Sequence, residues 1–149
     1  MKLKSALDTK DHKTIEIQLY QFIHTLKFCS KEKEQEYLGL NFDNFNQINE
    51  FIENHIYDKF CLNELSKIVH INKFGFSKKF KVTTGMTPMN YILMRKVFSS
   101  KKCINFNSEL TKMAYQYNFT DLAHYSKTFK RFIGISPKKY KESIIKKIQ

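Results

Sequence analysis

Two short stretches with the same pattern carry the side chains best suited to bind a polyanion. The donors are Ser77, Lys78 and Lys81 in the first stretch and Ser126, Lys127 and Lys130 in the second. Lysine ammonium groups and serine hydroxyls donate hydrogen bonds to phosphate oxygens and to the edges of nucleic-acid bases. These residue types therefore predict binding through repeated hydrogen-bond donors rather than catalysis.

The two stretches belong to a repeat with a constant offset of 49 residues. The matched pairs are 72/121, 77/126, 78/127, 80/129, 81/130, 85/134, 88/137 and 91/140. Two copies are too few for a solenoid. The repeat indicates a tandem binding module.

Helix-cap residues predict how these donors are positioned. Asn72 and Asp121 are good N-caps, because a side-chain oxygen accepts a backbone N–H of the first helical turn. Helical spacing then predicts two buried faces, one with Phe76, Phe80 and Val82 and the other with Tyr125 and Phe129. The outward faces are expected to hold Lys73, Phe74, Ser77, Lys78 and Lys81 in the first helix, and Leu122, Ala123, Ser126, Lys127 and Lys130 in the second.

The charge of the chain is concentrated in its second half. Residues 1–72 hold nine Lys and eleven acidic residues, whereas residues 73–149 hold 17 basic and three acidic residues, a net charge of +14. So uneven a distribution favours nucleic acid as the partner. An acidic membrane surface is the weaker alternative, because the cations do not follow one continuous amphipathic helix. No apolar run has the length of a membrane span or of a signal peptide, so the expected location is the cytoplasm.

The remaining reactive residue types do not form a recognisable catalytic or metal site. Three cysteines without paired spacing argue against a disulfide framework or a zinc site, and Cys61 and Cys103 are expected in the core. The five histidines have no cysteine or carboxylate partner at a suitable spacing. Glycine-rich phosphate-binding motifs are absent from the sequence. We expect no enzyme activity, no cofactor and no metal.

Apolar periodicity predicts an all-α chain. Helices are expected over 14–28, 44–57, 62–69, from Lys73 to the glycine at 85, over 89–104, over 109–115, from Asp121 to Arg131, and from Pro137 to the C-terminus. Each repeat thus becomes a short helix, a tight turn and a capped second helix, which is the helix-turn-helix arrangement. The second helix of such a unit fits the DNA major groove.

The motifs at these positions resemble the AraC/XylS family of transcriptional regulators. The second copy has Met113-Ala114, Asn118-Phe119, Tyr125-Ser-Lys-Thr-Phe129-Lys130 and Gly134-Ile-Ser-Pro137-Lys-Lys-Tyr140; the first has Leu65-Ser66, Phe80-Lys81, Gly85, Pro88, Tyr91 and Arg95. The match covers about residues 46–142.

This resemblance implies a DNA-binding domain over 44–149 with seven helices. It consists of two homeodomain-like helix-turn-helix subdomains, over about 62–82 and 109–131, joined by a long linker helix over about 89–104. The recognition helices are expected to enter successive major grooves. Carried over from the family, the base-facing positions are Phe74, Ser77 and Lys78, then Ala123, Ser126 and Lys127.

Three positions depart from the family pattern. His70 and Asn118 replace the usual glycines of the two turns, and Ser66 replaces a small alanine. Asparagine tolerates a left-handed backbone conformation well, and histidine tolerates it less well. Ser66 and Ala114 are 48 residues apart rather than 49, so the second turn is expected to contain one extra residue.

The scarcity of arginine limits how bases can be recognised. Arg95 and Arg131 are the two arginines of the sequence, and neither lies at a predicted base-facing position. Bidentate contact of arginine with guanine is the commonest specific contact. Phe74 and Ala123 are suited to thymine methyl groups instead. We therefore expect a site rich in A·T pairs, with indirect readout of DNA shape.

The leading hypothesis is a sequence-specific, double-stranded-DNA-binding transcriptional regulator, with activation as its direction of control and RNA polymerase as a second partner. The alternative is a degenerate member that binds nucleic acid without sequence preference or acts as a protein-interaction module. Residues 1–43 are expected to form an extra N-terminal helical segment, either in a stand-alone regulator or as the remnant of a sensor and dimerisation domain. A monomer or a weak homodimer is expected.

Overall fold

The computed structural model describes residues 39–145, which belong to the unit Leu38–Gln149. These residues form seven helices and no strand: α1 Phe42–Asn54, α2 Leu62–Ile68, α3 Lys73–Thr84, α4 Pro88–Cys103, α5 Leu110–Gln116, α6 Leu122–Ile133 and α7 Pro137–Ile145. Helices α2 and α3 form the first helix-turn-helix unit, α5 and α6 form the second, and α4 joins them. The all-α prediction is confirmed for this part of the chain. The predicted helix at 14–28 lies outside the described residues.

Side-chain caps fix where the helices begin. The Asn72 Oδ1 accepts the Gly75 N–H at 2.9 Å, and the Asp121 Oδ1 accepts the His124 N–H at 2.7 Å. Both predicted caps are therefore confirmed. Thr87 caps α4 with Pro88 in the first helical position, where proline loses no helical hydrogen bond.

The first helix differs from its prediction at both ends. The Asn41 Oδ1 accepts the Asn44 N–H at 2.8 Å, so α1 begins at Phe42 rather than at residue 44. It ends at Asn54, because His55 leaves the helical conformation with φ −115° and ψ 24°. Residues 55–61 are a loop, and the predicted extension of this helix to residue 57 was wrong.

Left-handed glycines end both recognition helices. Gly85 has φ 79° and Gly134 has φ 92°, a conformation that costs glycine little. Their N–H groups bond to the Lys81 and Lys130 carbonyls at 2.8 and 2.9 Å. The first recognition helix therefore ends at its glycine, as expected, and the second continues to Ile133, two residues beyond its expected end at Arg131.

Aromatic side chains fill the core of the first unit. Phe76 and Phe80 are fully buried, as predicted, with ring centroids 5.6 Å apart. The Phe80 ring also lies 6.0 Å from Phe45 of α1 and 5.3 Å from Tyr91 of α4. Tyr91 donates its hydroxyl proton to the Asn49 Oδ1 at 2.7 Å. Helices α1 and α4 thus hold the recognition helix α3 from behind.

The second unit repeats this arrangement with α4 and α7. Tyr125 and Phe129 are fully buried, as predicted, with ring centroids 5.7 Å apart. The Tyr125 hydroxyl donates to the Ser100 Oγ of α4 at 3.1 Å, and burial raises the pKa of Tyr125. Tyr140 of α7 lies 5.7 Å from the Phe129 ring. The single linker helix α4 therefore belongs to the packing of both units.

Three expectations about core residues were wrong. Val82 is 42% exposed, because helical geometry turns it away from the face that carries Phe76 and Phe80. Cys61 and Cys103 are both exposed. Cys61 occupies the N-cap position of α2 and Cys103 is the last residue of α4, and helix ends face solvent more often than helix centres do.

Candidate nucleic-acid interface

The first recognition helix presents a basic and aromatic outer face. Lys73, Lys78 and Lys81 are exposed, Phe74 is 78% exposed, and Ser77 is half-buried beside them. The Lys73 Nζ lies 5.0 Å from the centre of the Phe74 ring, within the range of a cation–π contact. Every position predicted to face outward on α3 is thus accessible, and its contact with DNA stays a prediction.

The second recognition helix presents one serine and two lysines that match those of the first, without the aromatic ring. Ala123, Lys127 and Lys130 are exposed, Ser126 is half-buried, and Leu122 is 36% exposed. The serine and the two lysines of each helix therefore have the same burial in both units. The outward faces differ at the start of the helix, where Lys73 and Phe74 correspond to Leu122 and Ala123.

Both turns contain a residue in the left-handed conformation. His70 has φ 53° and Asn118 has φ 58°, as the replacement of glycine at these positions suggested. The following residue closes each turn, since the Ile71 N–H bonds to the Ser66 carbonyl at 3.0 Å and the Phe119 N–H bonds to the Ala114 carbonyl at 2.9 Å. This is the Schellman pattern of helix ends.

The extra residue of the second turn lies between its left-handed residue and the N-cap. Ile71 alone separates His70 from Asn72, whereas Phe119 and Thr120 separate Asn118 from the next cap. The Thr120 Oγ1 lies 3.0 Å from the His124 Nδ1, and the His124 ring packs edge-on against Phe119. His124 therefore packs within the turn.

The two arginines occupy different environments. Arg95 pairs with the Glu53 carboxylate of α1, and its side chain is 12% exposed. Arg131 is exposed near the end of α6, with its guanidinium carbon 5.2 Å from the centre of the Phe132 ring. Neither lies at the start of a recognition helix, where base contacts are expected.

Sequence analysis missed a buried lysine at the junction of the two units. Lys96 of α4 is 4% exposed and donates from Nζ to the Asp58 carbonyl at 2.7 Å. Its Nζ also lies 5.3 Å from the centre of the Phe60 ring. Burial lowers the pKa of Lys96 to about 8, and the nearby Asp58 carboxylate opposes this shift. A signal was present, because Ile92, Lys96 and Ser100 share one buried stripe at four-residue spacing.

The described residues contain no group of histidine, cysteine and acidic side chains arranged to hold a metal ion. Among the same residues, no helix is both long enough and apolar enough to cross a membrane.

The chain is similar to a helix-turn-helix family and to a bacterial regulator. The family model of a helix-turn-helix domain matches residues 65–143, which are more than half of the chain. An uncharacterized HTH-type transcriptional regulator of Staphylococcus aureus (strain MSSA476) is 28% identical over 120 residues. The aligned region is 80% of this chain and 16% of that regulator, so the chain spans about one sixth of its length.

Solved structures show the same fold. The C-terminal domain of the two-component response regulator yesN from Fusobacterium nucleatum is 25% identical, with a TM-score of 0.59 over 66% of this chain and 97% of that domain. The DNA-binding domain of AdpA, a global transcriptional factor solved in complex with a target DNA, has a TM-score of 0.61 at 17% identity. That alignment covers 67% of this chain and 91% of the AdpA domain.

Proposed function

Because the chain belongs to the AraC-type helix-turn-helix family, we propose that it is a sequence-specific transcriptional regulator that binds double-stranded DNA. Helices α3 and α6 enter successive major grooves about one helical turn, or ~10 base pairs, apart. The name of the Staphylococcus aureus relative and the target DNA in the AdpA structure support this proposal.

One observation supports the proposal most directly, namely the equal presentation of Ser77-Lys78 and Ser126-Lys127. Each pair lies in the second turn of a capped helix whose opposite face is locked into an aromatic core. The buried face fixes the rotation of the helix and so determines which side chains point outward. A helix with a fixed outer face and exposed donors is what direct readout in a major groove requires.

Base preference follows from the same two faces. Arg95 is engaged with Glu53 and Arg131 lies near the end of α6, so guanine recognition by arginine is disfavoured at both recognition helices. Phe74 is suited to the C5-methyl group of thymine, and the small Ala123 allows close approach to a second one. We propose a site in which A·T pairs predominate, flanked by phosphate contacts from the remaining lysines.

Activation is the proposed direction of control, and it places RNA polymerase next to the bound chain at a promoter. A reporter gene behind the selected site tests this part separately from binding. Expression should rise when the chain is supplied. If the chain occupies the site and reporter expression does not change, activation is removed from the proposal and DNA binding is left intact. Sedimentation of the whole chain tests the expected monomer or weak dimer.

In-vitro selection with the whole chain tests the binding proposal. We expect enrichment of A·T-rich sites with two half-sites about one helical turn apart. In competition, the selected duplex should bind at least about a thousandfold more tightly than random duplex. Affinity should fall steeply with salt, as expected for roughly 6–10 phosphate contacts. Equal binding to selected and random duplex would instead identify a non-specific nucleic-acid-binding module.

A further inference from the structure

The loop between α1 and α2 reaches beyond the first unit. This segment, residues 55–61, is the bridging loop. It precedes the first helix-turn-helix unit in sequence, yet three of its residues contact α4 or the second turn. The residues concerned are Tyr57, Asp58 and Phe60. The loop therefore links two units that also share the linker helix.

The contact with α4 is buried and strong. Lys96 points its ammonium group at the Asp58 carbonyl, 2.7 Å away, and packs over the Phe60 ring. A hydrogen bond from a charged donor is stronger than one between neutral groups. Lys96 thereby anchors the bridging loop to the middle of the linker helix.

The contact with the second unit uses the residue at its left-handed turn. The Asn118 Nδ2 donates to the Tyr57 carbonyl at 3.3 Å. The Tyr57 ring lies 5.0 Å from the buried Tyr117 ring, whose hydroxyl is 3.4 Å from the Ser99 Oγ of α4. A glycine at position 118 suits the backbone conformation but has no side chain to make this bond. Asparagine therefore serves both the turn and the bridge.

Resting on the proposed function, we infer that the bridging loop fixes the relative orientation of the two recognition helices and thereby sets the spacing of the two half-sites. Lys96, Tyr57 and Asn118 are its positioning residues. They act on DNA only through the placement of α3 and α6. One added base pair rotates the second major groove by about 35° around the duplex, so a rigid protein discriminates between spacings. A protein whose bridging loop is no longer anchored should bind half-sites at more than one spacing.

Asn118→Gly is the decisive variant, and His70→Gly is its matched control. Both remove a side chain from a left-handed turn position, where glycine is favoured. Only the first removes a contact with the bridging loop. Lys96→Met tests the other anchor and keeps the volume of the buried side chain nearly unchanged. Thermal unfolding of each variant by circular dichroism verifies that it is folded before DNA is added.

Binding is measured with the full chain on four duplexes derived from the selected site. These are the selected site, a version with one extra base pair between the half-sites, and two versions with one half-site scrambled. We expect the wild type and His70→Gly to prefer the selected spacing by about tenfold. For Asn118→Gly and Lys96→Met this ratio should fall to about threefold or less. Binding to each single half-site should stay equal in all four proteins.

The outcomes separate the two proposals. Failure of the wild type to enrich any site contradicts the proposed function itself. A recovered site whose spacing ratio is unchanged in both Asn118→Gly and Lys96→Met overturns the role of the bridging loop and leaves the proposed function standing. An equal fall in the His70→Gly ratio also overturns it, because turn geometry rather than the bridge would then set the spacing.

Discussion

In the first unit, Tyr91 donates a hydrogen bond to Asn49 of α1, whereas its counterpart in the second unit, Tyr140, lies beneath the Lys101 ammonium at 5.4 Å from its ring centre. A directed hydrogen bond in one unit thus corresponds to a cation–π contact in the other. In the second unit the tyrosine hydroxyl that donates a hydrogen bond is that of Tyr125, and its acceptor is Ser100 of α4. The repeat preserves the aromatic core and varies the polar contacts around it.

This difference follows from the position of α4 in both units. Its first half packs behind α3, where the Tyr91 ring contacts Phe80, and its second half packs behind α6, where Ser100 accepts from Tyr125. The first unit has α1 to complete its support, and the second has the shorter α7. A repeated recognition helix can therefore be stabilised by different neighbours, provided that its own buried face is kept.

Removing equivalent core rings gives the largest expected contrast between the units. Phe80→Ala and Phe129→Ala should each lower the free energy of unfolding by about 3–5 kcal/mol. Phe80→Ala should cost more, because among the described residues the Phe80 ring contacts three aromatic rings and the Phe129 ring contacts two. Urea denaturation measures both losses. Tyr115→Ala, at a residue that is 61% exposed, should change stability by less than about 0.5 kcal/mol. A greater loss in Phe129→Ala would show that the second unit dominates global stability.

The buried Lys96 at the junction between the units should make the free energy of unfolding depend on pH. The pKa of Lys96 is about 8 in the fold and 10.5 as its ordinary value. Between these values the unfolded chain binds a proton that the folded chain has lost, so stability rises with pH. Relative to Lys96→Met, the wild type should gain at most about 3 kcal/mol of unfolding free energy from pH 7.5 to 10.5.

Urea denaturation at several pH values checks this gain. The raised pKa values of Tyr117 and Tyr125 act in the opposite direction above pH 10, but they are common to both proteins and cancel in the difference. Lys102→Met removes an exposed lysine of the same helix and should follow the wild type. Parallel pH curves for Lys96→Met and the wild type would contradict the burial of a charged lysine at this position.

Equivalent lysines on the two recognition helices test whether both units read sequence. Lys78→Ala and Lys127→Ala should each weaken binding to the selected site by about 1–3 kcal/mol, and weaken binding to random duplex less. Fluorescence anisotropy with both duplexes measures the two losses. Lys112→Ala, at an exposed residue of α5 that pairs with Glu109, is the control for a lost surface lysine. Equal losses on selected and random duplexes would make the altered lysine a phosphate contact only.

Phe74→Ala gives the first recognition helix the same residues as the second, Ala, Ser and Lys, at the three predicted base-facing positions. We expect binding to weaken by about 1 kcal/mol, through loss of contact with a thymine methyl group. Replacing thymine by uracil in the first half-site should weaken wild-type binding and leave Phe74→Ala binding unchanged. Anisotropy titrations of both proteins on both duplexes measure this dependence. A wild-type protein indifferent to uracil would remove Phe74 from base recognition.

The features predicted correctly from sequence are those that local chemistry determines. Asn72 and Asp121 cap their helices because each bonds within its own first turn, and Gly85 and Gly134 end them because only a few residue types tolerate that backbone. The exposed face of each recognition helix followed from the spacing of its aromatic residues. These are contacts between near neighbours in the chain.

The bridging loop could not be predicted by the same reasoning. Apolar periodicity continues through Phe51 and Ile52 to Ile56, so a longer helix was expected. The chain leaves the helix and is held by Lys96, 38 residues beyond Asp58, and by Asn118, 61 residues beyond Tyr57. Neither partner is visible in the local pattern. Asn118 was recognised as a turn residue, and its second role depends on tertiary structure.

The smallest expected effect concerns the two left-handed turns. A non-glycine residue in this conformation costs free energy, and histidine tolerates it less well than asparagine. His70→Gly should therefore raise the free energy of unfolding by about 0.5 kcal/mol, after the greater entropy of the unfolded glycine chain is subtracted. Asn118→Gly should raise it less or not at all, because it also loses the bond to the Tyr57 carbonyl. Urea denaturation of both variants and the wild type measures the two changes in free energy of unfolding. A larger gain for Asn118→Gly would show that the bridge contributes no stability and that the strain of the longer turn is the greater of the two.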